Sequence, residues 1–453
     1  MANTNPYNYN LPVGPEMFFG READVQELLD AVTSTPGDSV ALIGGRRMGK
    51  TSLLEALLRA FETQTMAAPD RLLLPIFLDL SGEWLGSVMD FFSLICTEVE
   101  STLSKRLSRD MPRELFLFQE GRPPAPAFGK LLDGWSRAVI AQTGMRLRLT
   151  LLLDECERLV EQPWASDLYG ALRYLLVGKT TRALLKVVVV GSHGFLTQVR
   201  QHGSPLRNVL KYHTLRALDV QATRELVAQP TQGILPETIV TAVVEQSGGH
   251  PFFTQYLMYH LWKHGLEGAS TETVEQIATQ FPHERNDFHD WMEGIGIAGA
   301  SAYRVLAQEN ALLTEAQIRV ALESVPPDLM QALDALCYHG LVLRDPKKER
   351  YQVAGEMFHS WFVSNVNPAS VFPPAKTLPD TDMQATSIIV QGDYVAGDKP
   401  TGVDQRGQDV HGPQTNIAGD VAGPILSGKF GGPVTVEQAP QKEAPDVTAE
   451  FTH

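Results

Sequence analysis

The amino-acid sequence predicts a doubly wound α/β core with a parallel sheet, followed by a helical lid, a winged helix and a Gly-rich tail. The core is indicated by apolar runs at 39–43, 147–153 and 184–190, with segments of helical spacing between them. The last two runs are continuous rather than alternating, as in strands that are covered on both faces. Strands that alternate with helices favour a parallel sheet.

The first predicted elements lie on either side of a short buried strand. Residues 1–17 are rich in Asn and Pro and are expected to form an extended strap. Helical spacing begins after residue 22 and leads into the strand 39–43, and a further helix is predicted over 50–59. The strand predicted over 72–80 contains a Pro, which indicates a sheet edge or a bulge.

The remainder of the chain is mainly helical until its composition changes near residue 367. Residues 84–143 have a helical pattern with a Pro-rich break at 121–126, and another break lies at 247–251. Three short helices followed by a hairpin indicate a winged helix. The predicted domains are a core at 1–213, a helical lid at 214–285, a winged helix at 286–366 and a tail at 367–453.

Composition and charge narrow the classes of function. The chain has 453 residues, enough for two to four domains, and a formal net charge of −15. Such a charge argues against general nucleic-acid binding, because binders of that kind present basic surface to phosphate. The three cysteines show neither metal-ligand nor disulfide spacing. No signal peptide or membrane span is recognisable, so we expect a cytoplasmic protein without a membrane segment.

A Gly-rich loop joins the strand 39–43 to the helix that follows it. Residues 44–51 read GGRRMGKT and fit G-x-x-x-x-G-K-[ST], the P-loop motif, in its strand–loop–helix context. The glycines let backbone N–H groups point at a phosphate, and the helix N-terminus favours the same anion. Lys50 is predicted to reach the β- and γ-phosphates and to act in catalysis, and Thr51 to bind Mg²⁺. The predicted nucleotide-binding residues of this loop are Gly44, Gly45, Arg46, Arg47, Met48, Gly49, Lys50, Thr51 and Ser52.

A pair of acids ends the apolar run 147–153. Asp154 is predicted to hold Mg²⁺, and Glu155 to orient or deprotonate the water that attacks the γ-phosphate. An apolar run that ends in Asp-Glu is a weak signal by itself, because a solvated strand end reads the same way. Downstream of a complete P-loop, it predicts a site for ATP hydrolysis.

These motifs together resemble those of the STAND-type P-loop ATPases of the AAA+-related branch, especially prokaryotic ATPases of the archaeal-ATPase and Orc-like sort. The resemblance covers about residues 15–365 and rests on Phe-Phe-Gly-Arg-Glu at 18–22, the P-loop, residues 151–155 and Gly-His-Pro at 249–251. It implies that Phe19, Gly20 and Arg21 line the base and ribose end of the nucleotide. It also implies that Pro251 senses the phosphate end.

Two features of this resemblance leave alternatives open. Gly-His-Pro at 249–251 is also the signature of one helix ending and the next beginning. After the strand 187–190 the chain reads Gly-Ser-His-Gly, so Ser192 or His193 is a candidate sensor and no arginine finger is evident. Substitutes would be Arg200, Arg207 or Arg216. A slow switch is therefore favoured over a fast motor.

The predicted recognition helix of the winged helix lacks the residues that read DNA. No Lys or Arg occurs between Arg319 and Arg344, and Gln331 is the one base-reading candidate near 327–338. The hairpin cations at 344–350 alternate with acids, which is typical of a solvated turn. The pattern favours protein partners or self-association over nucleic acid, without excluding nucleic acid.

The tail has a regular spacing of glycines. They fall at 392, 397, 402, 407 and 412, a period of five. Such a period is typical of short stacked strands, whereas the scarcity of apolar residues is typical of a disordered acidic tail. Both interpretations stay open.

The sequence as a whole predicts a switch that binds ATP and Mg²⁺, hydrolyses ATP slowly and signals through oligomerisation or protein partners. One alternative is an Orc-like ATPase that acts on DNA. Another is a nucleotide-bound scaffold with negligible hydrolysis.

Overall fold

The computed structural model describes residues 4–67, 70–82, 85–108, 123–322, 325–326, 328–345 and 349–366. All of them belong to one unit of the chain, residues 1–374. The predicted tail at 367–453 and its Gly repeat lie outside the described residues, as do Lys347 and Lys348 of the hairpin.

Five parallel strands form the central sheet; the sequence predicted a parallel sheet and four of these strands, but not the one at Leu210–Thr214. They are β1 (Ser39–Ile43), β2 (Arg71–Asp79), β3 (Arg146–Asp154), β4 (Leu185–Gly191) and β5 (Leu210–Thr214). Their order is β2-β3-β4-β1-β5, so β4 lies between the strand before the P-loop and the strand that carries Asp154. Strand β2 pairs only with β3 in this sheet, which confirms that the Pro-containing strand is an edge strand.

Eight α-helices among the described residues surround the sheet. They are α1 (Glu22–Thr33), α2 (Lys50–Ala67), α3 (Val88–Leu107), α4 (Pro124–Thr143), α5 (Glu157–Val160), α6 (Ala165–Val177), α7 (Thr181–Leu184) and α8 (His193–Arg200). One face of the sheet packs on α1 and α2, with Leu28, Leu53 and Phe61 in the cluster. The other face packs on α3, α4 and α6. Helix α2 extends beyond the predicted 50–59. Phe61 lies one turn after Leu57, and both side chains are fully buried on the same face of the helix.

Four further helices fill the segment predicted as a lid. They are α9 (Val220–Ala228), α10 (Glu237–Ser247), α11 (Pro251–His264) and α12 (Thr271–Glu284). The break predicted at 247–251 is confirmed. Helix α10 is followed by Gly248, whose φ of +58° is left-handed, and α11 begins with Pro251 in its first turn.

The C-terminal described segment mixes helices with a small antiparallel sheet. Its elements are α13 (Asp287–Glu309), β6 (Leu313–Thr314), α14 (Glu315–Ala321), α15 (Leu329–Tyr338), β7 (Val342–Asp345), β8 (Arg350–Val353) and α16 (Glu356–Asn365). The strands are ordered β6-β8-β7. The prediction of three short helices before the hairpin agrees with α13 to α15 in number, but α13 spans 23 residues and is divided by a kink at Gly296, where the backbone is non-helical. The prediction missed α16, which packs on α10, α12 and α13.

One hydrophobic cluster joins the segments on either side of residue 285. Phe253 of α11 contacts Trp291 of α13 at a ring-centroid distance of 5.1 Å, and Phe288 contacts Phe358 of α16 at 5.2 Å. The N-terminal strap also packs on this cluster, since buried Tyr7 donates to the Val227 carbonyl at 2.9 Å. Among the described helices, none combines the length and apolar character that a membrane crossing requires.

Candidate functional site

The P-loop lies between the end of β1 and the start of α2. Arg47 and Gly49 have φ values of +64° and +86°, so the chain curls tightly before the helix. A Cβ atom added to Gly49 would meet nothing within 4 Å, so the loop faces open space at this point. Leu53 N–H donates to the Gly49 carbonyl at 3.0 Å and begins the regular helical bonding. The curled loop and the helix start form an anion cradle.

Lys50 is a half-buried cation at the start of α2. Its Nζ donates to the Gly45 carbonyl at 3.0 Å, which folds the side chain back over the loop. Burial lowers the pKa of Lys50, and the carboxylates of Glu157, Asp154 and Glu155 oppose that shift. The ammonium therefore lies among three acids at the carboxyl edge of the sheet.

Thr51 and Asp154 lie together, although 103 residues separate them in the chain. Thr51 Oγ1 donates to Asp154 Oδ2 at 2.7 Å, and the Glu155 N–H donates to Asp154 Oδ1 at 2.9 Å. Asp154 is only 3% exposed. A hydroxyl beside a carboxylate fits a hard divalent cation such as Mg²⁺. No cluster of three or more His, Cys, Asp or Glu suited to a metal occurs among the described residues, so phosphate and water would supply the other ligands.

Two glutamates follow Asp154 and face the same space. Glu155 has a φ of +56°, in the left-handed region, where a non-Gly residue is uncommon. Burial, followed by the charges of Glu157 and Asp154, raises the pKa of Glu155. Glu157 is the first residue of α5, and sequence reasoning missed it. The sequence feature that could have identified Glu157 is its position, two residues after the Asp154-Glu155 pair.

A cavity of about 790 Å³ brings most of the predicted site residues together. Its walls include residues 46–52, Phe19, Arg21, Glu155 and Pro251, and the volume is typical of a small-molecule site. Ser192, one of the candidate sensors, lines it as well.

Three predicted glycines serve contacts outside the cavity walls. A Cβ atom on Gly20 would lie 2.2 Å from the Ala222 Cβ, so Gly20 allows the chain to approach α9 closely. A Cβ atom on Gly44 would lie 3.1 Å from the Leu215 Cβ, so Gly44 packs near Leu215. Gly45 faces the end of α15, with Tyr338 O at 2.8 Å from such a Cβ.

The N-terminal strap forms a wall of the cavity that sequence reasoning did not assign to the site. Residues 8–13 line the cavity, and the Val13 N–H donates to Ser52 Oγ at 3.1 Å. Tyr9 contacts Phe252 and Tyr256 at centroid distances of 6.0 and 5.2 Å. The strap therefore bridges the P-loop helix and α11.

The P-loop also contacts the C-terminal segment directly. The Gly45 N–H donates to the Tyr338 carbonyl at 2.9 Å. Arg47 Nε pairs with Asp287 at 2.7 Å and its guanidinium lies 4.4 Å from the Phe252 ring centroid. Arg46 pairs with Asp290 at 3.4 Å on the surface. Arg46 and Arg47 of the P-loop thus both pair with acids at the start of α13.

Gly249, His250 and Pro251 act as a helix boundary, and Pro251 lies in the cavity wall as well. The Leu218 N–H donates to the Gly249 carbonyl at 2.8 Å, and Gly249 has a φ of +77°. His250 is fully buried against Phe253 and Trp291, and burial lowers its pKa to about 3. It is therefore neutral at physiological pH.

The candidate arginine fingers do not enter this cavity. Among the described residues that line it, the arginines are Arg21, Arg46, Arg47 and Arg158. Arg200 instead stacks on Tyr212 at 4.3 Å, and Arg200 and Arg216 line a second cavity of about 940 Å³. Arg207 is exposed.

Comparisons with known proteins agree with this geometry. The model of the family described as Novel STAND NTPase 1 matches residues 14–277, more than half of the chain. A search of curated proteins found no match. The fold is similar to that of the Walker-type ATPase paby2304 of Pyrococcus abyssi, with a TM-score of 0.52 and 17% identity over 77% of this chain and 97% of the other. A further similar structure is the ORC2 protein of Aeropyrum pernix in ADPNP-ADP complexes, with a TM-score of 0.47 and 15% identity over 80% and 96% of the two chains.

Proposed function

The chain belongs to the Novel STAND NTPase 1 family, and on that premise we propose that it is a nucleotide-dependent switch whose C-terminal segment responds to the P-loop. ATP and Mg²⁺ bind in the cavity of about 790 Å³ beside Lys50 and Asp154. The observation that carries this proposal is the direct bonding of the P-loop to the C-terminal segment, through Gly45 to Tyr338 and Arg47 to Asp287. Phosphates entering the loop would compete with these contacts.

The residues of the site suit hydrolysis as well as binding. Lys50 and the P-loop amides hold the phosphates, and Thr51 with Asp154 holds Mg²⁺. When bound, Mg²⁺ neutralises charge on the phosphate oxygens. Burial and the neighbouring acids raise the pKa of Glu155, which makes its carboxylate a stronger base toward water. Since the arginines at 200, 207 and 216 do not line the cavity, turnover is expected to be slow.

The domain organisation is part of the same proposal. We assign residues 1–213 to the core, 214–285 to the lid and 286–366 to a winged helix, because the strands β7 and β8 follow the helices α13 to α15 and β8 also pairs with β6, which lies between α13 and α14. In this proposal the switch transmits its signal through self-association or through a protein partner. DNA is the less favoured partner, because α15 carries no Lys or Arg and presents exposed Gln331 and Asp334.

The test compares the full chain in ADP and in a non-hydrolysable ATP analogue, by size-exclusion chromatography with light scattering and by limited proteolysis. The switch predicts a change in mass or in the cleavage pattern that Lys50→Ala abolishes together with nucleotide binding. Glu155→Gln should retain binding and lose turnover.

Three outcomes would contradict the proposal. No change in either measurement would exclude a switch, and nucleotide binding without measurable turnover would favour the scaffold. Normal hydrolysis by both variants would refute the assigned site.

A further inference from the structure

His250 lies between α10 and α11, and its side chain is fully buried. Both ring nitrogens, Nδ1 and Nε2, are buried, and neither has a hydrogen-bond partner among the described residues. The imidazole is neutral at physiological pH, so it presents one N–H donor and one acceptor nitrogen. A buried donor or acceptor without a partner destabilises the arrangement that buries it, because water would bond to the same group if it were exposed.

The imidazole occupies the position where the P-loop, α11, α13 and the end of α15 meet. Its ring centroid lies 4.6 Å from that of Phe253 in α11 and 5.1 Å from that of Trp291 in α13. A Cβ atom added to Gly340, two residues after α15, would lie 3.1 Å from His250 Cδ2 and 3.2 Å from the Sδ atom of Met48 in the P-loop. The ring is therefore enclosed by the same segments that the P-loop contact joins.

Hydrogen bonds hold the main chain of His250 in place. Its N–H donates to the Ser247 carbonyl at 3.0 Å, and its carbonyl accepts from the N–H and the Oγ1 atom of Thr254 at 3.0 and 3.1 Å. With the main chain fixed between two helices, the ring gains access to water when the segments that cover it, α13 and the end of α15, move away from α11.

We propose that His250 biases the switch toward opening, because its unpaired imidazole destabilises the closed arrangement relative to the open one. In the closed arrangement Gly45 bonds to Tyr338 and Arg47 to Asp287, as in this structure, and in the open one phosphate has displaced these contacts. This inference rests on the proposed switch. A group that finds hydrogen-bond partners in only one of two arrangements shifts the equilibrium toward that arrangement. Nucleotide then opens the contact at a lower concentration.

The test follows hydrogen exchange of the Gly45 amide in the full chain, since the bond of this amide to the Tyr338 carbonyl defines the closed arrangement. His250→Leu keeps a similar side-chain volume and removes both polar atoms, so exchange without nucleotide should slow about tenfold or more. The concentration of a non-hydrolysable ATP analogue at which half of the protein changes its cleavage pattern should rise by a similar factor. Damage to the fold would speed exchange, so slower exchange is specific to the proposed role.

The matched control is Tyr303→Phe, which removes another unpaired polar group from the same hydrophobic cluster. The Tyr303 Oη atom is buried and has no hydrogen-bond partner among the residues that the structure describes. The Tyr303 ring contacts Phe358 and Phe362 of α16 at centroid distances of 5.1 and 4.8 Å. Because this ring packs on α16 and should stay covered when the P-loop contact opens, Gly45 exchange should change by less than about twofold.

The outcomes separate this inference from the proposed function. Unchanged or faster Gly45 exchange in His250→Leu, or slower exchange without a shift in the ATP-analogue concentration, would overturn the role of His250 and leave the switch intact. An equal slowing in Tyr303→Phe would overturn it as well, because general stabilisation would then explain the effect. If the ATP analogue changes neither Gly45 exchange nor the cleavage pattern of wild type, the proposed switch fails and this inference fails with it.

A second variant covers the case in which His250→Leu does not fold. His250→Phe continues the aromatic packing with Phe253 and Trp291 and also removes both ring nitrogens. It should slow Gly45 exchange as well, and unchanged or faster exchange would refute the role of His250.

Discussion

Asp287 is the residue at which the contact between the P-loop and the C-terminal segment can be tested most directly. Its carboxylate accepts from Arg47 Nε at 2.7 Å and from Arg285 Nε at 2.6 Å. The side chains are 12%, 31% and 22% exposed for Asp287, Arg47 and Arg285. Asp287→Asn keeps the shape, removes the charge and turns one acceptor oxygen into a donor that faces an arginine.

The magnitude follows from these contacts. A hydrogen bond to a charged group contributes about 1.5–3 kcal/mol and a neutral one about 1 kcal/mol. Asp287→Asn removes one of the two charged bonds and weakens the other, and the partial exposure of both arginines reduces the loss. We expect a decrease in the free energy of unfolding of about 1–2 kcal/mol, which lowers Tm by about 2–4 °C.

The assay is thermal unfolding, combined with hydrogen exchange of the amides at 44–52. Asp287→Asn should lower Tm and increase exchange in the P-loop, because Arg47 no longer holds the loop against α13. Asp290→Asn is the matched control, since its pair with Arg46 is 3.4 Å long and both side chains are more than half exposed. Its effect should stay below about 0.5 kcal/mol.

Two results would refute the reasoning. Equal effects of the two substitutions would show that burial does not strengthen the Asp287 pair. A double-mutant cycle of Asp287→Asn with Arg47→Ala that gives a coupling below about 0.3 kcal/mol would show that the pair does not hold the loop.

Two further predictions concern stability. Gly248→Ala should destabilise the fold by about 2–4 kcal/mol in urea unfolding, because the new Cβ would lie 2.1 Å from the Ala354 carbonyl oxygen at a φ of +58°. Gly144→Ala, which also has a positive φ but meets nothing within 4 Å, should cost only about 1 kcal/mol, and equal losses would contradict the steric argument. His213 Nε2 donates to Asp24 Oδ1 at 2.7 Å, and this hydrogen bond raises the His213 pKa above its usual value. Its stabilising charge is fully present below the unfolded pKa of about 6.5 and is lost as pH rises through the folded pKa. In urea unfolding, His213→Gln should therefore lower the free energy of unfolding more at pH 5.5 than at pH 9. The control is the exposed His202→Gln, whose effect should be the same at both pH values. An effect of His213→Gln that does not change with pH would refute the stabilising role of the His213 charge.

Local patterns in the sequence predicted much of the fold and part of the site. The continuous apolar runs predicted parallel strands, and the Gly-rich motif between strand and helix predicted the loop that presents Lys50 and Thr51. The Asp-Glu pair after β3 predicted an acid beside that loop, and Asp154 does bond to Thr51. The pattern did not indicate the length of α13, in which a kink at the non-helical Gly296 divides residues 287–309 into two helical segments.

The sequence by itself determined the first four strands of the parallel sheet, the position of the P-loop and the acids at the end of β3. Backbone preference and the side-chain period act over a few residues, so these features can be read locally. Only the tertiary structure decided that β4 lies between β1 and β3, that the strap forms a wall of the cavity and that Glu157 lines the cavity together with Lys50. It also decided that Arg47 bonds to Asp287, 240 residues away. Such contacts depend on how whole layers pack, because a side chain gains a distant partner only when the shared core brings their backbones together.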